Sequence, residues 1–281
     1  MATQLDRPTD HDGDGACIRD LTIGCVFQDE ARYLKEWIEY HNLIGVQHYV
    51  LVNDRSSDNF REILRPYVDA GKVELFDCGC PENLQERNWP QYQCAIHEAL
   101  VKQVRGVSRW LALVDTDEFI VPSHTDNIIE FLRAYEQYGG LYVRWEPFGT
   151  SYIPKLSDDE LLTEQLYLKW RFTRGHDMLG KSIVKPHRVL RANIHRCDLV
   201  PGFAYFDSNP GMQNVVTEIK IHHYWSRDED FLMTKKLPRT AKIKGWKIDK
   251  DHLQYFRRLF NEVPDYTMSR FAPELRSRVL D

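Results

Sequence analysis

"LALVDTDEFI", Leu111–Ile120, decides how this chain is read. Leu111 to Val114 is an apolar run bounded by turn signals, the pattern of a buried strand. It runs into Asp115, Asp117 and Glu118 before turning apolar again at Phe119. Carboxylates beside a hydrophobic strand are costly to bury unless a cation meets them. The stretch therefore poses two questions, which sheet holds the strand and which cation meets the acids.

Outward from that strand the chain alternates regularly. "LTIGCVF" (21–27), "QHYVLVN" (47–53) and "KVELFDC" (72–78) read as strands, and "WLALVDTDEFIV" (110–121) reads as the fourth. Between them lie helical patterns. The first carries Leu34, Trp37, Ile38 and Ile44 on one stripe and closes at Gly45; others are "NFREILRPYVDAG" (59–71) and "PQYQCAIHEALVKQV" (90–104), the last with Ala95, Ile96, Ala99 and Leu100 as its apolar face. "TDNIIEFLRAYEQYGG" (125–140) is a further helix and "LYVRWEPFG" (141–149) a further strand. Strand–helix repetition with short connections implies an α/β fold with a mostly parallel sheet flanked by helices. After Gly149 the alternation degrades, with strands expected at "KSIVKPHRVL" (181–190) and "VVTEIKIHHYW" (215–225) and basic helices after them. The expected organisation is a disordered polar leader over 1–19 and one domain over 20–281, its 20–123 half nucleotide-binding and its 124–281 half irregular and acceptor-binding.

Composition bounds the function. The 281 residues are 42% hydrophobic and 28% charged with a net charge of −5, an ordinary globular balance without the basic excess of a nucleic-acid binder. No run of eighteen apolar residues suggests a transmembrane segment, and no signal-peptide core is evident, so a cytoplasmic or otherwise soluble location is expected. The six cysteines lack a framework spacing and fit a reducing compartment. Asp10, Asp12 and Asp14 open a calcium-loop spacing, but Leu21 stands where that loop needs a bidentate Glu.

In open α/β sheets, ligands bind beyond the carboxyl ends of the strands. Gln28–Glu30, Asn53–Asp58 and Asp115–Asp117 all fall there, which predicts an acidic crevice suited to a divalent metal and, through it, a diphosphate. Neither a dinucleotide glycine motif nor a P-loop is present.

Together, "CVFQDEARYLKEWIEYHNLIGVQHYVLVNDRSSDN" (25–59), "WLALVDTDEFIVP" (110–122), "RWEPFGTS" (144–151), "KSIVKPHRVL" and "HHYWSRDEDFLMTK" (222–235) resemble the glycosyltransferase family 92 and family 2-like group over roughly residues 21–236. The resemblance implies a GT-A fold, a nucleotide-diphosphate sugar donor (UDP-linked first), a glycan acceptor, inverting transfer, and Mn²⁺ or Mg²⁺ as cofactor. By position it implies Phe27, Glu30, Asp54 and Asp58 at the nucleoside, with Gln93 either at the base or exposed. Asp115 and Asp117 would hold the metal, Asp117 as the more direct ligand and Asp115 reaching ribose or metal-bound water. His223 is the first candidate for a third ligand and His195 the second; His222, adjacent on the strand, should face the other way. Lys181, Lys235 and Lys236 would neutralise the leaving diphosphate. Glu146 and Asp177 are the candidate catalytic bases, with no choice between them. "WEPFGTSY" (145–152) departs from the family's pattern after its glycine, which leaves the acceptor side open. A sugar nucleotidyltransferase is the enzyme alternative, though "VFQDEARY" (26–33) offers no Gly-rich triphosphate loop; a non-catalytic binding protein is the other.

Overall fold

A computed structural model describes residues 19–78, 88–171, 179–207, 218–244 and 250–280. The leader, its Asp10–Asp14 spacing and Asp177 lie outside the described residues. The first half holds β1 (Arg19–Phe27), α1 (Ala31–Leu43), β2 (His48–Asn53), α2 (Phe60–Asp69), β3 (Val73–Asp77), α3 (Trp89–Val104), β4 (Ser108–Leu113) and β5 (Glu118–Pro122). Then follow α4 (Ile128–Arg133), β6 (Gly140–Pro147), α5 (Leu162–Gln165), β7 (Leu168–Lys169), β8 (Gly180–Val184), β9 (Val189–Arg191), β10 (Asp198–Leu199), β11 (Tyr205–Asp207) and β12 (Ile219–His223). The C-terminal stretch holds α6 (Glu229–Phe231), a π turn (Leu232–Lys236), α7 (Leu237–Lys244), α8 (Lys250–Leu259), β13 (Val263–Pro264) and α9 (Ala272–Val279).

The main sheet runs β3-β2-β1-β4-β8-β6-β12-β5, with β11 also on β6. Its first four strands are parallel, β6 pairs in parallel with β12, and only β8 and β5 run against their neighbours. The α/β, mostly parallel, helix-flanked sheet expected from the sequence is therefore present. Alternation along β1 explains its two covered faces. Leu21, Ile23, Cys25 and Phe27 pack with Leu34, Trp37 and Ile38 of α1, whereas Val26 packs with Ile96, Leu100 and Val104 of α3. Gly24 points toward α3, where a Cβ would lie 3.1 Å from Leu100, so this helix sits close. Ala95, expected on that apolar face, is exposed; Gln93 and His97 are buried instead.

The fourth strand is not one strand. β4 ends at Leu113 and β5 begins at Glu118, and they lie at separate places in the sheet, with β8, β6 and β12 between them. At about 4.8 Å per strand spacing, four spacings of flat sheet exceed the ~17 Å that the short link can span. The sheet must curl to close that gap. The acidic residues cause the break. The Asp115 N–H donates to the Glu118 carboxylate at 2.8 Å and the Glu118 N–H to the Asp115 carbonyl at 3.1 Å, a turn that no continuous strand could hold. The outer edge of β5 is covered by α1: Trp37 and Tyr40 donate to the Glu118 and Ile120 carbonyls, each at 2.8 Å, and His41 accepts from the Ile120 N–H. Those bonds satisfy backbone groups that an open edge would leave bare.

Candidate active site

Since β8 runs against both β4 and β6, the carboxyl ends of β1, β2, β4, β6 and β12 share one edge. A crevice of about 260 Å³ opens there, lined by Phe27, Glu30, Gln93 and Asp115–Asp117 on the sheet side. The π turn and α7 close it from the other side with Lys236 and Arg239. These cations rest on aromatic faces, Lys236 over Trp225 and Arg239 over Trp89, each 5.3 Å from the ring centroid. A wider groove of about 550 Å³ adjoins it, sharing Gln28, Glu30, Lys236 and Arg239 and extending to Tyr33, Asp58 and Lys235.

Two lysines answer the question of the cation. Lys236 donates to Asp117 Oδ2 at 2.8 Å, and His223 Nε2 lies 3.5 Å from Asp117 Oδ1. Burial alone would raise the Asp117 carboxyl; Lys236 first, then His223 and Arg227, outweigh it and hold this acid well below the usual carboxylate range. Lys181 is sealed in the sheet, its ammonium 2.7 Å from Asp115 Oδ2 and 3.7 Å from Glu118 Oε2. Burial opposes its charge, but Asp115 and Glu118 raise its pKa above the ordinary lysine value. Glu118 is pushed the other way: burial raises its carboxyl well above the usual range despite Lys181.

Asp117, Glu118 and His223 each offer one ligand atom, and these atoms all lie within 4.8 Å of one another. Glu118 Oε1 is buried and has no hydrogen-bond partner, a vacant acceptor at the centre of this group. Two carboxylates and an imidazole suit a divalent metal. The residues present fit such an ion.

A buried arginine completes the mouth. Arg227, at φ 49°, forms an ion pair with Glu30 and lies 3.7 Å from the Tyr33 ring centroid and 4.5 Å from that of Phe231. Burial raises the Glu30 carboxyl more than Arg227 lowers it. The π turn that follows carries Lys236 to the crevice.

With this geometry, residues 22–259 match the sequence pattern of glycosyltransferase family 92. The chain belongs to that family. Among relatives, a family 92 protein of Ricinus communis is 24% identical over 261 residues, covering 88% of this chain and 39% of that protein. Galactan beta-1,4-galactosyltransferase GALS2 of Arabidopsis thaliana is 22% identical over 183 residues, covering 61% of this chain and 34% of that protein. This chain thus spans between a third and two-fifths of the length of these relatives. Among solved structures, S. aureus TarS residues 1–349 aligns with a TM-score of 0.43 at 9% identity, covering 85% of this chain and 69% of that one.

Within this family 92 chain the structure gathers some of the residues singled out from the sequence and scatters others. Phe27, Glu30, Gln93, Asp115, Asp117 and Lys236 line the crevice. Gln93 is buried and donates to Asp115 at 3.3 Å. Asp115 is not grouped with the metal-capable atoms; Lys181 and Gln93 hold its two oxygens, and Glu118 takes its place in the group. Lys181 is a buried counter-ion, not a crevice-lining group. Asp58 accepts from the Ala31 N–H at 2.7 Å, capping α1 from the neighbouring loop, and lines only the wider groove. Asp54 is buried and meets Arg55 and Tyr92. His195 donates from Nδ1 to the Gly180 carbonyl at 3.1 Å and stands apart from the metal-capable group.

Glu146 lies elsewhere. It pairs with Lys169 at 2.8 Å and Lys220 at 3.0 Å, beside His222 and opposite the His223 face of β12. The reason is parity: on β6, Trp145 takes the His223 side, with ring centroids 4.3 Å apart, so Glu146 must take the other. Sequence reasoning missed Glu118, Arg227, Arg239 and the two tryptophans under the cations. For Arg227 the signal was available, since it follows β12 by four positions, where the carboxyl-end rule applies.

Proposed function

We propose that this chain is the catalytic part of a GT-A glycosyltransferase that moves a hexose from a UDP-sugar to a glycan hydroxyl, with inversion and with a divalent metal, Mn²⁺ first. The observation that carries the reading is the metal-capable Asp117–Glu118–His223 group, whose Asp117 lines one crevice together with two aromatic-seated cations. Phe27 and Gln93 would offer an apolar face and an amide to the base, and Asp115 would reach the ribose. Lys236 and Arg239 stand where the diphosphate would lie and take up its growing charge as the sugar leaves. Asp117, Glu118 and His223 would hold the metal. When bound, the ion supplies positive charge to the leaving diphosphate. Lys236, now on Asp117, is free to turn to the phosphates once that carboxylate has another cation. Two Arabidopsis relatives are named galactan beta-1,4-galactosyltransferases, which makes UDP-galactose and a galactan oligosaccharide the first probes.

The test is thermal stability of the full chain with UDP, with and without Mn²⁺, alongside UDP release from UDP-galactose. Binding to the native state raises stability by mass action. A metal-dependent shift together with UDP release is expected; no shift with any nucleoside diphosphate would sink the reading.

A further inference from the structure

Two lysines meet the acids of the Asp115–Glu118 turn, and the structure holds them differently. Lys181 sits on β8 with only 1% of its side chain exposed, its ammonium fixed between Asp115 and Glu118. Lys236 leaves 22% of its side chain exposed and pairs with Asp117 at 2.8 Å. It rests on the Trp225 ring, a face that attracts a cation without fixing its direction. A lysine sealed in the sheet is a permanent counter-ion. A half-buried ammonium on a flexible four-carbon stem can be drawn away.

The helix that carries Lys236 is shaped for this placement. Leu232 and Leu237 are both buried, five positions apart. In an α-helix that spacing turns the second residue about 140° from the first, whereas the wider π turn brings the two back toward one face. With both leucines anchored, Lys236 and Arg239 fall on the crevice side.

Asp117 also belongs to the metal-capable group with Glu118 and His223. Its Oδ1 faces His223 Nε2 at 3.5 Å and its Oδ2 carries Lys236, so an ion held by this group must share that carboxylate with the ammonium. Like charges so placed repel, and more strongly where water is scarce. Lys236 is also first among the groups that hold the Asp117 carboxyl down. Metal and lysine therefore compete for one negative charge.

We infer that Lys236 is a resident stand-in for the metal on Asp117, displaced when a nucleoside diphosphate draws it to the phosphates, so that metal and diphosphate each favour the other's binding. This rests on the metal-dependent transferase reading above and assigns the regulation of that site. Without nucleotide, Lys236 stays on Asp117 and opposes the ion. With a diphosphate in the crevice, Lys236 has a second anion to meet beside Arg239, and Asp117 is left to the ion. The coupling is reciprocal, as any linkage between two binding events must be.

The experiment measures Mn²⁺ affinity of the full chain from the paramagnetic resonance of free Mn²⁺, alone and with saturating UDP. UDP affinity without metal is measured beside it by calorimetry. Lys236→Met keeps a stem on Trp225 and removes the charge. It should bind Mn²⁺ alone about tenfold tighter than wild type and UDP alone about tenfold weaker. UDP should then improve its Mn²⁺ affinity by a smaller factor than in wild type. Lys236→Arg retains the charge and should bind Mn²⁺ within about threefold of wild type. Lys235→Met, one position away on the wider groove, should stay within about twofold. Unchanged or weaker Mn²⁺ binding by Lys236→Met overturns the stand-in, and so does an equal gain in Lys236→Arg. A wild-type chain that binds UDP but no Mn²⁺ under either condition removes the metal reading first, and the stand-in with it.

Discussion

Two neighbouring histidines on β12 look onto clusters of nearly the same chemistry. His223 is grouped with Asp117 and Glu118, and Lys236 pairs with Asp117; His222 is grouped with Glu146 and Asp265, and Lys169 and Lys220 pair with both of those. Either trio of His and carboxylates could be drawn around a metal. They differ in what already fills them. On the His222 side, two lysines sit against two carboxylates, with Lys169 2.6 Å from Asp265 and 2.8 Å from Glu146, and the charges close on themselves. On the His223 side, the cations rest on tryptophans at a crevice. Similar residue types thus make a rivet on one face and a candidate binding site on the other. Charge closure separates the two.

The sharpest way to break this contrast is Asp117→Asn. A neutral oxygen replaces a charged one at the metal-capable group, so UDP release from UDP-galactose should fall about a thousandfold and Mn²⁺ should cease to improve UDP binding. The unfolding temperature without ligand should fall somewhat, since the charge that Lys236 and His223 meet is lost, but the chain should stay folded. Unchanged turnover would remove the functional half of the comparison.

Asp265→Ala tests the rivet. It strips one carboxylate from two largely buried lysines, so chemical denaturation should show a loss of about 3 kcal/mol, while UDP affinity stays the same. A drop in UDP affinity at full stability would mean that the two faces are not separate.

The same sealed side should also set acid stability. His41 accepts the Ile120 N–H through Nε2, and burial pushes its pKa down to about 3. The unfolded chain takes up this proton near pH 6.5. Between those values the unfolded state therefore binds more protons, and stability falls as pH is lowered, by up to about 1.4 kcal/mol per pH unit. Above pH 6.5 the contribution is fully present. His41→Gln should flatten that slope in a denaturation series from pH 7 to pH 4; an unchanged slope would place the acid lability in other groups.

The smallest effect separates two adjacent lysines. Lys235 is exposed on the wider groove, and its change to Ala should weaken UDP binding less than about threefold, with that loss screened by salt. Lys236→Ala should cost more and persist at high salt. Equal effects would mean that the seat on Trp225 adds nothing.

Much of the first half was legible because period and burial agree there. Leu34, Trp37, Ile38 and Ile44 recur at helical spacing, and all four are fully buried. The acidic turns after β1, β2 and β4 could likewise be placed at one edge from topology rules alone. What escaped was set by partners distant in sequence. Nothing local in "WLALVDTDEFIV" says that its second half will pair with residues 219–223 and not continue its own strand. Glu146 misled by a single residue of strand parity, since its neighbour Trp145 is the one on the His223 side. Glu118 stood in the sequence beside two better-placed carboxylates, and only its pairing with β12 and its contact with Lys181 bring it into the metal-capable group.

That interrupted strand bears on how the chain reaches its native state. β4 and β5 are made within a few residues of each other, yet three strands synthesised later must slot between them. A nascent chain ending near residue 123 holds the parallel β1–β4 ladder but lacks β12, the strand that pairs with β5, and the strands on either side of it. The Asp115–Glu118 turn would then hang over an unfinished edge until Lys181 arrives on β8. Non-local pairing of this kind slows folding and keeps sticky edges open for longer. The carboxylates of the candidate site would thus also act as a checkpoint, staying in water until the later elements bring the cations that allow them to be buried.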